Sequence, residues 1–132
     1  MSDTKSTFET LEVWIKGREL RIKFSKLTKG FPVEEKYKLT DQILRASRSV
    51  TANIAEGYGR FHYQENIQFC RISRGSLFEL IEHLYVALDE EYIYKNTFTN
   101  LKTDVNDEIR LLNGYIKYLK GRKNDERGKK GE

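Results

Sequence analysis

Cysteine and proline each occur once in the 132 residues, at Cys70 and Pro32, and no apolar run approaches the roughly 18 residues that span a bilayer. A lone cysteine excludes an internal disulfide and a cysteine-based zinc site, and suits a reducing compartment. A lone proline leaves long stretches without a strong helix breaker, which favours a few long elements over many short ones. The N-terminal stretch MSDTKSTFETLEVW is polar and lacks the apolar centre of a secretory signal. Cytoplasmic residence without membrane contact is therefore the expectation. Histidine is scarce too: neither His62 nor His83 stands near a serine or cysteine at the spacing of a nucleophile–base pair. The Glu-x-x-His step of di-metal bundles is missing, because Leu80 lies three residues before His83. Gly57-x-Gly59 fails as a dinucleotide loop, since no strand precedes it and His62 occupies the place of the third glycine. The expectation is a protein that is not an enzyme, with no catalytic residue, no metal site and no cofactor. Both histidines read as surface or boundary residues, and Cys70 as a small buried hydrophobe.

Charge is plentiful and unevenly placed. Charged residues make up 33% of the chain and the formal net charge is +4. From Lys120 onward six basic residues face three acidic ones, a net +3 that leaves only +1 for the rest of the chain. Residues 1–31 carry +3, whereas residues 63–92 carry −4. The body is thus polarised rather than basic, and any phosphate-binding surface must come from the first helix, a few arginines and the tail.

Four segments carry apolar residues in steps of three and four, the helical period. The first runs through Val13, Gly17, Leu20, Phe24, Leu27 and Phe31, with Phe8, Leu11, Ile15 and Ile22 on a neighbouring flank. Phe31-Pro32 closes it, because proline disfavours helix in the residue before it. The second restarts with Thr40 as N-cap and Asp41 in the first turn. It steps through Leu39, Ile43, Ala46, Val50, Asn53 or Ile54, and Gly57, and Gly57-Tyr58-Gly59 supplies a stop. The third, about residues 63–91, follows Ile67, Cys70, Arg74, Leu77, Ile81, Leu84 and Leu88. The fourth begins near Asn96 or Thr97 and follows Phe98, Leu101, Val105, Glu108, Leu112, Tyr115 and Leu119. Short connections between long helices give antiparallel neighbours, hence an all-α, up-down-up-down four-helix bundle over residues 1–120. Residues 121–132 are charged, glycine-containing and without apolar period, and are expected to form a disordered tail. Small residues Ala46, Ser47, Ser49, Ala52 and Ala55 would let the second helix approach its neighbours closely. Trp14, Phe69, Phe78, Tyr85, Tyr92, Ile109 and Ile116 lie off the strict stripes, either because the stripes are wide or because a second face meets another subunit.

The run from Leu39 through Gln42, Arg45, Ala46, Ser49, Val50, Asn53, Ile54, Ala55, Glu56 and Gly57 to Gly59-Arg60 resembles the signature of the "four helix bundle protein" family. That family is also called the 23S rRNA intervening-sequence protein family, and includes the accessory variability proteins of diversity-generating retroelements. Flanking residues agree: Phe8, Leu11 and Trp14, then Phe31-Pro32 with Glu35 and Tyr37, then Gly75-Ser76-Leu77 with Glu79-Leu80. The similarity covers about residues 8–119. Two departures stand out, Ser73 where alanine is expected, and a nearly neutral body where the retroelement proteins are strongly basic. The resemblance implies a bundle that assembles as a homopentamer, with neither enzyme activity nor cofactor. It also implies, for one subgroup, binding to nucleic acid and to a reverse transcriptase.

Three polar residues, Asn53, Arg74 and Glu108, occupy steps where an apolar one is expected. Unpaired burial would cost several kcal/mol, so cross-helix hydrogen bonds that fix register are the simplest reading. Glu56 and Arg60 read as a local ion pair. For nucleic acid the candidate contacts are Lys16, Arg18, Arg21 and Lys29 on the first helix with Arg45 and Arg48 on the second, a set that repetition in an oligomer would multiply. The alternative for those residues is an ordinary solvated face. The linear sequence shows neither an aromatic-basic platform nor a helix-turn-helix, so base-specific reading is not expected. The leading expectation is a non-enzymatic homo-oligomeric scaffold that binds RNA or DNA without sequence specificity; the second is a protein adaptor, for example for a reverse transcriptase.

Overall fold

The computed structural model describes residues 7–131; residues 1–6 of the expected bundle and Glu132 of the expected tail lie outside them. Four helices follow in order: α1 (Glu12–Thr28), α2 (Leu39–Gly59), α3 (Tyr63–Asp89) and α4 (Lys95–Gly131). Short 3-10 turns at Phe8–Thr10 and Val33–Glu35 precede α1 and α2. No strand occurs among the described residues. Each helix packs on the next and α4 returns to α1. This is the arrangement of a four-helix bundle. None of the described helices is long and apolar enough to cross a membrane.

Every helix faces two neighbours, so its buried arc is wider than a single seam. That widening explains where the core departs from the expected stripes. On α3 the buried line includes Ser73, Leu80 and Ala87, while Arg74, Ile81 and Leu88 stay partly exposed. On α4, Ile109 and Ile116 are core residues although they fall off the simple stripe. On α2 the stripe passes through Ile54 rather than Asn53. His83 is 9% exposed, at the inner limit of the surface or boundary position expected, and its Nε2 lies 3.2 Å from Glu79 Oε2. Cys70 is buried as expected, and burial pushes its thiol up to about 12.

The helix ends are built differently from the expected caps. α2 begins at Leu39, so Thr40 lies inside the first turn and caps nothing. The Leu39 N–H instead donates to Glu35 Oε1 at 3.2 Å, and the Tyr92 hydroxyl donates to Glu35 Oε2 at 2.7 Å. Phe31 packs on Tyr92 with ring centroids 5.5 Å apart, so the α1–α2 and α3–α4 connections are tied together. The Tyr92 hydroxyl and the Leu39 N–H hold the Glu35 carboxyl below its usual range. At the other end, no described glycine has positive φ; Phe61 (φ 61°) reverses the chain after α2 and Glu91 (φ 62°) after α3. A left-handed Phe costs roughly 1–2 kcal/mol. Beyond residue 120, where a disordered tail is expected, α4 continues as helix to Gly131. The segment contains no proline, and Arg122 and Lys123 reach back to Tyr63 Oη and Gln64 Oε1 of α3.

α2 ends at Gly59, where the Gly57-Tyr58-Gly59 stretch is expected to stop it, and Gly57 itself serves as a contact. A Cβ there would sit 2.8 Å from Asn66 Oδ1, 2.9 Å from Phe69 Cβ and 3.1 Å from the Asn66 carbonyl oxygen. The start of α3 thus rests directly on the α2 backbone. Gly57→Ala should therefore lower stability in urea unfolding by about 1–3 kcal/mol, the usual cost of overpacking. Gly75→Ala, whose Cβ would meet nothing within 4 Å, should be neutral or stabilising by up to about 1 kcal/mol. Equal losses at both positions would contradict the close-approach account.

Candidate nucleic-acid interface

Between α1 and α2 lies an open groove of about 570 Å³. Ala52 and Ala55 of α2 line it, Ala52 exposed and Ala55 half-buried. Trp14 and Ile22 of α1 form one wall, with Phe8 stacked edge-on against Trp14 at 5.2 Å. Two cations enter the groove, Arg21 from α1 and Arg48 from α2, and none of the lining residues is acidic. Arg21 Nη1 donates to Thr51 Oγ1 at 2.8 Å, a neutral partner that orients the guanidinium without neutralising it. Arg18 adds a third cation beside the groove, its guanidinium 5.9 Å from the Trp14 ring centroid. Among the described residues, no ion pair joins Arg18, Arg21 or Arg48 to a carboxylate.

The other expected contacts fall elsewhere. Lys16 lines a small cavity between α1 and α4, Lys29 caps the end of α1, and Arg45 pairs with Asp41 at 2.9 Å. The fold therefore gathers three of the six basic residues and disperses three. A single helix projects its side chains all round, and the packing of α2 and α4 on α1 decides which side each cation joins.

Three of the signature residues, Ser49, Gly57 and Ser76, hold α2 against α3, and Asn53 steadies Ser49 from within α2. Asn53 Nδ2 donates to the Ser49 carbonyl and to Ser49 Oγ, both at 2.9 Å. Ser76 Oγ donates to Ser49 Oγ at 2.9 Å, and Ser73 Oγ to the Val50 carbonyl at 2.8 Å. Ser73, the departure from the expected alanine, thus adds a buried cross-helix hydrogen bond. Glu56 pairs with Arg60 at 3.1 Å, and Arg60 also reaches Glu65 and lies 5.1 Å over the Phe69 ring. Glu79 contacts His83, whereas Gln42 and Gly75 are exposed. Arg74 is no core residue; its Nη1 donates to Asn113 Oδ1 on α4 at 2.8 Å. Among the described residues, no group of three or more His, Cys, Asp or Glu could hold a metal ion.

The sequence profile of the 23S rRNA-intervening sequence protein family matches residues 9–114. The chain belongs to the 23S rRNA-intervening sequence protein family. Its fold is similar to a crystal structure of a protein of unknown function from the S23 ribosomal protein family of Bacteroides thetaiotaomicron. The two share 26% identity and a TM-score of 0.74 over 80% of this chain and 95% of that one. No curated protein matches the chain. The family match spans the groove except Phe8, the α2–α3 seam and one further polar residue, Glu108.

Glu108 is 1% exposed, and neither carboxyl oxygen has a hydrogen-bond partner. Room for it comes from Gly17, where a Cβ would stand 3.0 Å from Glu108 Oε2. Burial pushes its pKa up to about 8; Lys16 opposes the shift, and Glu12 and Glu19 add to it. The carboxyl is therefore protonated in the folded chain at neutral pH. An unfolded chain releases that proton near the ordinary 4.5. From about 4.5 to about 8 the unfolded state binds fewer protons, so this residue's contribution to stability falls as pH rises and levels off above that range. Glu108→Gln should remove that slope, with a wild-type minus variant difference on the order of a few kcal/mol between the ends of the range. Urea unfolding at a series of pH values checks it, and parallel profiles for the two chains would contradict it.

Proposed function

We propose that this member of the 23S rRNA-intervening sequence protein family is a non-enzymatic scaffold that binds RNA or DNA through the α1–α2 groove without sequence specificity. The observation that carries the reading is the grouping of three guanidiniums without carboxylate partners at one groove that no acidic residue lines. Arg45, Arg60, Arg110 and Lys23 each have a carboxylate partner, whereas Arg18, Arg21 and Arg48 keep their charge for an outside ligand. A guanidinium is the side chain best suited to phosphate oxygens. The family takes its description from an intervening sequence of 23S rRNA, which supports structured RNA as the first ligand to test.

The scaffold is an up-down-up-down bundle repeated in a homo-oligomer, a homopentamer by family resemblance. Supporting this, Phe78 and Tyr85 form an exposed apolar line on α3. Repetition multiplies weak phosphate contacts by raising their effective concentration. The second reading, an adaptor that docks a protein such as a reverse transcriptase, draws on the same exposed apolar side chains.

Two measurements follow. Binding of a structured RNA should weaken steeply with salt, and the double variant Arg21→Gln/Arg48→Gln should reduce the slope of log K against log salt by about 2. Arg110→Gln should leave the slope unchanged; equal slopes for all three chains would remove the groove from the reading. Light scattering should give about five chains per particle, and a monomer at micromolar concentration would contradict the oligomer.

A further inference from the structure

At the opposite end of the α2 helix from the Glu35 tie, the fold assembles an aromatic pocket of about 390 Å³. Tyr58, Phe61, His62 and Tyr63 arrive from the α2–α3 turn, and Tyr115 and Tyr118 from α4. In sequence these are two clusters about 50 residues apart, and only the return of α4 along α3 joins them. The rings of Tyr115 and Tyr118 are near parallel, at 16° with centroids 6.3 Å apart. Asn66 at the base is buried and donates to the Tyr115 hydroxyl at 3.3 Å. Phe61 is 87% exposed although it is among the largest apolar side chains, and it is held in the left-handed region. Glycine would suit that backbone better, so the ring is kept in water against both its hydrophobicity and its backbone preference.

Two cations stand beside the mouth, outside the lining itself. Arg122 donates to the Tyr63 hydroxyl at 3.4 Å and lies 6.0 Å from the centroid of its ring, and Lys123 bonds Gln64. Glu126 is the one carboxylate among the lining residues. An organic cation entering such a pocket would meet a Tyr63 face already occupied by Arg122. A planar base finds aromatic faces to stack on, hydroxyl and amide groups for its edge, and two cations beside its phosphate.

We infer that this pocket seats an unpaired nucleobase of a bound nucleic acid, with Arg122 and Lys123 on the adjoining phosphates. Stacking on aromatic rings tolerates any base, so the pocket adds recognition of single-stranded character rather than of sequence. The inference rests on the nucleic-acid reading above and extends it from the groove to the far end of the bundle. The groove binds backbone wherever it lies, and the pocket selects ligands with a base free to swing out.

The test uses the full chain, a 10-nucleotide single-stranded RNA carrying one 2-aminopurine, and a fully paired duplex. Single-strand binding should change the 2-aminopurine emission. Phe61→Gly and, separately, Tyr118→Ala should weaken single-strand affinity about tenfold and leave duplex affinity unchanged. Phe61→Gly relieves the left-handed backbone, so it should also raise the melting temperature, which separates loss of binding from loss of fold. Unchanged single-strand affinity in both variants, with duplex binding retained, overturns the pocket and leaves the groove standing. Absence of binding by either RNA at low salt overturns both. A tetramethylammonium titration that shifts the Tyr63 and Tyr118 ring resonances, where the RNA does not, assigns an organic cation and overturns the base.

Discussion

The contact on which the other features depend is the direct approach of α3 to the α2 backbone at Gly57. With no Cβ at that point, Asn66 and Phe69 come close to the α2 main chain. With α2 and α3 so placed, Ser73 meets the Val50 carbonyl, and Ser76 meets Ser49, which Asn53 also holds. A shift by one residue along either helix would bury these hydroxyls without partners, at about 1–3 kcal/mol each. The seam therefore specifies one arrangement rather than merely favouring contact. It also fixes where Phe61, His62 and Tyr63 emerge, and so the position of the aromatic pocket relative to α4.

The α1–α4 seam is of another kind. It is more lightly packed than the α2–α3 seam, and at its centre stands Glu108, buried without a hydrogen bond. One side of α1 thus faces a carboxylic acid held neutral by burial, and the other opens into the arginine groove. Lys16 is near enough to Glu108 to lower its pKa, while Arg21 and Arg48 have no acidic neighbour in their groove. The same helix separates a cation tied to the interior from cations directed outward, and this division gives a nearly neutral body a usable basic strip.

Much of this was legible in the sequence, for identifiable reasons. Periodicity located the four helices because each has a continuous apolar face. Glu108 was conspicuous because a charged residue broke an otherwise apolar stripe. The signature around Asn53 and Gly57 pointed to the family. What was not legible depended on partners distant in sequence. Glu35 caps α2 and receives Tyr92, 57 residues away, so a local reading chose Thr40 instead. Gly57 looked like a stop because glycine near a helix end usually is one; its contact with Asn66 and Phe69 is visible only in space. Ile109 and Ile116 lie off the strict stripe, and periodicity alone leaves a wide stripe and a second interface equally open; the two-neighbour packing of α4 makes them core residues. The aromatic pocket escaped notice because its halves lie on different helices. The one available sign was the dense aromatic run at Tyr58, Phe61, His62 and Tyr63.

The central claim is that the α1–α2 groove arginines Arg18, Arg21 and Arg48, which have no carboxylate partner, form the phosphate-binding surface. The arginine side-chain Nε–H resonances of the full chain, followed while a short structured RNA is added at low salt, test it residue by residue. The account predicts that Arg21 and Arg48 shift and broaden first, with Arg45, Arg60 and Arg110 nearly still. Equal movement of the paired and unpaired arginines, or movement of the paired ones alone, would contradict it.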